Sequence, residues 1–89
     1  MDISQLEVFR AVAREGGFSR AATKLFRTQS AVSQSVRKLE LEIGEPLFDR
    51  SSRDGLVTDA GRVLLDYADR LLNLRDNARE ALVDHTPEC

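Results

Sequence analysis

A mainly α fold is what this 89-residue sequence predicts: four helices, with a small two-stranded hairpin before the last. Three observations predict it. Apolar residues recur every three to four positions, and capping residues, glycines and a proline cut that pattern into segments. Asp54-Gly55 lies between two short apolar runs and marks a tight turn. The final segment spaces its apolar residues alternately four and three apart, as a helix–helix seam does.

Each element has its own signals. Asp2 can cap a first helix, and Gln5 stands three residues on, as a capping box requires. Ile3, Leu6, Phe9, Val12 and Ala13 share one face of that helix, and Gly16-Gly17 stops it. Ser19 can cap a short second helix with Phe18 as its staple residue and Ala21, Ala22 and Leu25 as its buried face. The turn Phe26-Arg27-Thr28 leads to a third helix, capped by Thr28. Val32, Val36, Leu39 and Ile43 form its apolar stripe; Gln29, Ser30, Ser33, Gln34, Arg37 and Lys38 lie opposite. Gly44 ends it and Pro46 prevents continuation. Leu47 to Arg50 and Leu56 to Thr58 read as the hairpin strands. Thr58 can cap the last helix, and Asp59 suits its positive end. There Ala60, Leu64, Tyr67, Leu71, Leu74, Ala78 and Ala81 make the seam, widened by Val63, Ala68, Leu72 and Leu82.

Size and composition narrow the function. The length suits one small core. No apolar run approaches the ~20 residues of a membrane span. Met1 to Gln5 lacks the basic start and apolar stretch of a signal peptide, so the expected location is cytoplasmic. The lone cysteine, Cys89, forms no internal disulfide and no metal site, and it shares a frayed tail with His85. No histidine lies in the folded part to serve a nucleophile, and no glycine-rich phosphate loop appears. Nothing supports an enzyme, a cofactor or a bound metal.

The net charge of −2 at first argues against a nucleic-acid partner. Its distribution argues the other way. Residues 17–53 carry seven bases (Arg20, Lys24, Arg27, Arg37, Lys38, Arg50 and Arg53) against Glu40, Glu42, Glu45 and Asp49. Residues 54–89 carry four arginines against eight acids. A basic middle and an acidic end suggest separate roles.

Two helices joined by a three-residue turn form a helix-turn-helix, whose second helix presents its N-terminal residues to base edges in the major groove. Gln29, Ser30, Ser33 and Gln34 are suited to such reading, because glutamine can read adenine, and serine either kind of base. Arg37 and Lys38, a turn further on, and Ser19, Arg20 and Lys24 on the bracing helix suit phosphates. Arg27 and Thr28 lie in the turn between them. In the hairpin, Arg50 and Arg53 could enter a narrow minor groove. Arg50 has a rival reading as the structural partner of Asp49 or Glu40.

These residues also carry a resemblance. The run Phe18-Ser19-Arg20-Ala21-Ala22-Thr23-Lys24-Leu25 is followed by Thr28-Gln29-Ser30-Ala31-Val32-Ser33 and Leu39-Glu40. Gly44-Glu45-Pro46-Leu47-Phe48-Asp49-Arg50 and Thr58-Asp59-Ala60-Gly61 complete the series. From about Ile3 to Leu82 the chain resembles the N-terminal domain of LysR-type transcriptional regulators. The resemblance implies a winged helix-turn-helix, three helices plus a two-stranded β wing, followed by a long dimerisation helix. It implies a homodimer reading an inverted-repeat operator in double-stranded promoter DNA, and a tetramer when full length. A small-molecule effector would act only through a C-terminal domain outside this sequence, and the location would be the bacterial nucleoid. By position, Gln29, Ser30 and Ser33 match base-reading residues; Gln34 and Arg37 match base or phosphate contacts; Arg50 and Arg53 match the wing. Gln34 stands where arginine is common in the family, Arg27 where a small apolar residue is common, and Val57 where leucine is usual.

The expected organisation is therefore a reading head at 1–58, a linker and dimerisation helix at 59–84, and a disordered tail at 85–89. The near half of the last helix, Val63, Leu64 and Tyr67, could instead pack on its own head. Its far half, Leu71, Leu74, Ala78 and Leu82, has no domain of its own to cover it. Dimerisation is accordingly assigned to Leu64, Tyr67, Leu71, Leu74, Ala78 and Leu82. The competing function is a winged-helix interaction module whose long helix does the binding without DNA readout.

Overall fold

The computed structural model describes residues 1–51 and 56–85. The hairpin tip, with Arg53 and the Asp54-Gly55 turn, lies outside them, as do residues 86–89. Four helices and two short strands follow in the order α1 (Ile3–Glu15), α2 (Phe18–Leu25), α3 (Gln29–Ile43), β1 (Phe48–Asp49), β2 (Leu56–Val57) and α4 (Asp59–His85).

The capping box of α1 is complete. The Asp2 carboxylate accepts from the Gln5 N–H at 2.8 Å, and the Gln5 side chain accepts from the Asp2 N–H at 3.1 Å. Gly16 ends the helix at φ 77, where glycine avoids the Cβ penalty. The buried face of α1 is Leu6, Val8, Phe9 and Val12. Val8 lies off the expected stripe, and Ile3, which belongs to it, is exposed. The reason is packing: α1 lies against α2, α3 and α4 together, so more than one narrow stripe is covered.

Helix α2 begins earlier than its capping signal suggests. Gly17, not Ser19, is the N-cap, and no side chain caps this end. The left-handed Gly16 and extended Gly17 turn the chain at once, so Phe18 is already helical. Its ring meets Phe48 edge-on at 5.4 Å, and Phe48 meets Phe9 at the same distance. Ala21 and Ala22 are buried and let α3 approach closely. Phe26 closes the helix in the left-handed region (φ 56) with its side chain 96% exposed. A phenylalanine there costs roughly 1–2 kcal/mol of backbone strain with no burial in return. Phe26→Asn should therefore stabilise the fold by about 1 kcal/mol in urea unfolding. A decrease would show that the ring has a partner within the fold.

The Thr28 hydroxyl caps α3 by accepting from the Ala31 N–H at 3.1 Å. Val32, Val36 and Leu39 are fully buried, whereas Ile43, expected with them, is partly exposed. It lies in the last turn, where every residue from Leu41 on is exposed before Gly44 (φ 85) ends the helix. The strands are shorter than expected, and pair antiparallel with Phe48 opposite Val57 and Asp49 opposite Leu56. Next to them, the Ser51 hydroxyl and N–H hold the Asp49 carboxyl below its ordinary pKa.

Thr58 joins wing to α4 with three hydrogen bonds. Its hydroxyl accepts from the Gly61 N–H at 3.1 Å and donates to the Pro46 carbonyl at 2.7 Å, and its N–H donates to the Leu47 carbonyl at 3.0 Å. Gly61, Ala68 and Leu72 are the buried positions of α4, with Leu64 and Leu65 packed beside them. Val63 and Tyr67, which could have covered the head, are exposed. The helix runs to His85, one residue beyond the expected span and into the expected tail. At 27 residues it is ~40 Å long, against a longest molecular dimension of 56 Å.

Candidate nucleic-acid interface

The buried stripe of α3 fixes which of its faces looks outward. With Val32, Val36 and Leu39 turned into the core, Gln29, Ser30, Gln34, Arg37 and Lys38 are exposed and Ser33 is half-buried. Their side chains make no hydrogen bond or ion pair among the described residues. The α3 N-terminus adds backbone N–H groups and a positive dipole end on the same side.

The surrounding bases divide into two groups. Arg20 on α2 and Arg27 in the turn are exposed and unpaired among the described residues, like Arg37 and Lys38. Ser19 is exposed beside them. Lys24 donates to Glu15 at 3.1 Å but keeps most of its side chain in water. Thr28 is exposed, though its hydroxyl oxygen is committed to the cap. Arg50 lies at the hairpin and is held from two sides. It donates to Glu40 at 3.0 Å, and its guanidinium stands 5.3 Å from the centre of the Phe18 ring. The rival structural reading of Arg50 is therefore present in the fold. Its side chain remains 42% exposed, which leaves N–H groups for a further acceptor. Arg53 lies outside the described residues.

Glu40 is the residue whose reach the sequence understated. Its side chain is only 14% exposed, and one carboxylate gathers three donors. These are the N–H groups of Leu47 (2.7 Å) and Phe48 (3.4 Å) and the Arg50 guanidinium. It thereby fixes the hairpin to the helix that carries Gln29 and Ser30. The available signal was an acid, Glu40, three residues after Arg37 in a helix that also carries Glu42.

The outer face of α4 forms a second surface. Val63, Tyr67, Leu74 and Leu82 are exposed and Leu71 is partly so, with Ala78 in line among them. Leu64, assigned to pairing, instead lies half-buried against the core. No group of three potential metal ligands occurs among the described residues, and no described helix is long and apolar enough to cross a membrane.

Comparison with known proteins gives one answer. The family model for bacterial regulatory helix-turn-helix proteins of the lysR family matches residues 3–62. Over 82 residues the chain is 43% identical to a probable RuBisCO transcriptional regulator of Cyanidioschyzon merolae, covering 92% of this chain and 27% of that protein. It is 42% identical to the protein of the same description from Trichormus variabilis, with coverage of 92% and 24%. The chain thus spans about a quarter of the length of the curated relatives it matches. Among solved structures it superposes on the BenM DBD in complex with catB site 1 DNA, at TM-score 0.96 and 31% identity. That match covers 100% of this chain and 99% of the other. The CbnR DBD–DNA complex gives 0.82 and 33%, covering 96% of this chain and 100% of the other. A winged helix-turn-helix with an outward polar α3 and a long α4, matched by sequence and by backbone, belongs to the lysR family of bacterial regulatory helix-turn-helix proteins.

Proposed function

We propose that this chain reads a specific double-stranded DNA sequence as a homodimer and so regulates transcription. The observation that carries the reading is the outward face of α3, where Gln29, Ser30, Gln34, Arg37 and Lys38 are exposed with no partner among the described residues. Unpaired amides and hydroxyls at a helix N-terminus match base edges, and the cations behind them match phosphates. The DNA complexes named for BenM and CbnR support this. Ser19, Arg20, Lys24, Arg27, Thr28, Arg37 and Lys38 would position the head on the backbone, Gln29, Ser30, Ser33 and Gln34 would read, and Arg50 and Arg53 would approach the minor groove.

Residues 1–58 would form the reading head and α4 the pairing helix. Two copies joined through Tyr67, Leu71, Leu74, Ala78 and Leu82, with Leu64 at the edge of the seam, would bury the outer face of α4. Their recognition helices would then enter successive major grooves of an inverted repeat, ~34–36 Å apart. In the longer relatives' context the pair would form part of a tetramer and answer a small molecule through a further domain. The cytoplasm and its nucleoid are the matching location.

Selection from random duplexes followed by fluorescence titration tests the proposal. Two chains should saturate one selected inverted repeat. With four unpaired bases per head, log K should fall against log salt with a slope on the order of −7 for the pair. Gln29→Ala should weaken the selected site by about 1–3 kcal/mol and leave non-specific binding nearly intact. No selectable sequence, or a salt-insensitive complex, overturns the reading.

A further inference from the structure

Helix α1 meets α4 through an alternation of charge. Glu7, Arg10 and Arg14 lie three and four residues apart and share one face of α1. Glu7 accepts from the Arg75 guanidinium at 2.7 Å, and Arg75 also donates to Asp76 at 2.9 Å. Six residues earlier on α4, Asp69 accepts from Arg14 at 2.8 Å and stands 3.9 Å from Arg10. The two α1 cations thus face an acid, and the α1 acid faces a cation. Sliding α4 along α1 by one turn would bring Arg75 towards Arg10 and set like charges together, so the pattern defines a register.

The position of these pairs matters as much as their sign. The buried contacts of α4 end at Leu72, and every described residue from Asn77 onward is exposed. Among the described residues Arg75 is the last of α4 to form an ion pair with α1, and it is only 22% exposed. The hydrogen bond to Asp76 foremost, and then that to Glu7, keep its pKa above the ordinary arginine value. From Asp59 to Arg75 the helix spans ~24 Å. A swing of ~10° over that length moves one end by ~4 Å, more than one base-pair step of DNA.

We infer that Glu7, Arg14, Asp69 and Arg75 are positioning residues that set the direction in which α4 leaves the head, and through it the half-site spacing the dimer accepts. The inference rests on the proposed pairing of two heads on DNA through α4. Each α1–α4 pair keeps one solvated partner, Arg14 or Glu7, so it contributes little to folding stability. Their effect belongs to geometry, so spacing selectivity is the property they alter.

The test uses the selected inverted repeat with its centre lengthened or shortened by single base pairs, and a duplex holding one half-site. The wild-type chain should lose about tenfold per added or removed base pair, whereas Glu7→Gln combined with Asp69→Asn should lose about threefold or less. Half-site affinity should be the same in both. Exchanging the partners, Glu7→Arg with Arg75→Glu in otherwise wild-type protein, leaves three cations on that face of α1 and no like-charge clash on sliding, so it should widen the profile too, and a narrow profile there overturns the register. A variant profile that superimposes on the wild type, or a half-site affinity that falls in parallel, overturns the positioning role alone. A wild-type chain that binds no duplex overturns the DNA reading and this inference with it.

Discussion

Gly61→Ala should lower the stability of the fold by about 3 kcal/mol, and in a domain of this size the melting temperature by roughly 15 °C. Alanine is the better helix former by ~1 kcal/mol, so local propensity alone predicts the opposite sign. Packing decides. A Cβ at Gly61 would stand within 3 Å of both the Leu47 carbonyl oxygen and Val57 Cγ1. The valine can turn, but the carbonyl is backbone and already accepts the Thr58 N–H at 3.0 Å. Relief requires the first turn of α4 to lift off the strand, which breaks that bond and the Thr58 hydroxyl's bond to Pro46. Thermal unfolding followed by circular dichroism gives the answer, and an unchanged or raised midpoint would show that α4 does not press on Leu47.

Glu40→Ala is the second large effect, for an electrostatic reason. Removing the carboxylate leaves the Leu47 and Phe48 N–H groups without their acceptor and Arg50 without its partner. Both residues are fully or nearly fully buried, so water replaces the lost acceptor poorly. The expected cost is about 2–4 kcal/mol in urea unfolding. Glu40→Gln should fall between the two, because its carbonyl can still accept from Leu47 but its amide presents a donor to Arg50. DNA affinity should decline with the alanine variant even where folding is complete, since the wing is no longer fixed to α3. Wild-type stability in Glu40→Ala would mean that the hairpin holds its place without the carboxylate.

Both effects depend on contacts between segments, and this marks what the sequence made legible. The caps at Asp2, Thr28 and Thr58 and the stops at Gly16 and Gly44 were readable because their chemistry is complete within four residues. Ser19 misled for the same local reason: two glycines upstream had already turned the chain. The outward face of α3 followed from the stripe opposite it. Faces that depend on tertiary packing did not follow. Val8 is buried because α1 is enclosed by three helices, and Ile43 is partly exposed because nothing among the described residues covers the last turn of α3.

In α4 the periodicity contains two interleaved stripes, and spacing cannot say which one faces the protein's own core. Gly61, Ala68 and Leu72 take that place, and Val63, Tyr67 and Leu74 do not. Glycine in the first turn of an otherwise good helix was the available clue to the close approach at Leu47. Glu40 and Arg50 can be paired from their charges alone, but the two backbone donors shared by Glu40 have no sequence signature.

The placement of Tyr67 has a practical consequence. The chain has one tyrosine and no tryptophan, so this ring supplies nearly all of its ultraviolet emission. It is 54% exposed on the outer face of α4, with the Arg70 guanidinium 5.4 Å from its centre, and takes no part in the ring contacts of Phe9, Phe18 and Phe48. Intrinsic fluorescence of the folded chain therefore reports on what covers that face. Paired with circular dichroism, it gives a label-free way to separate association from folding in the unmodified chain.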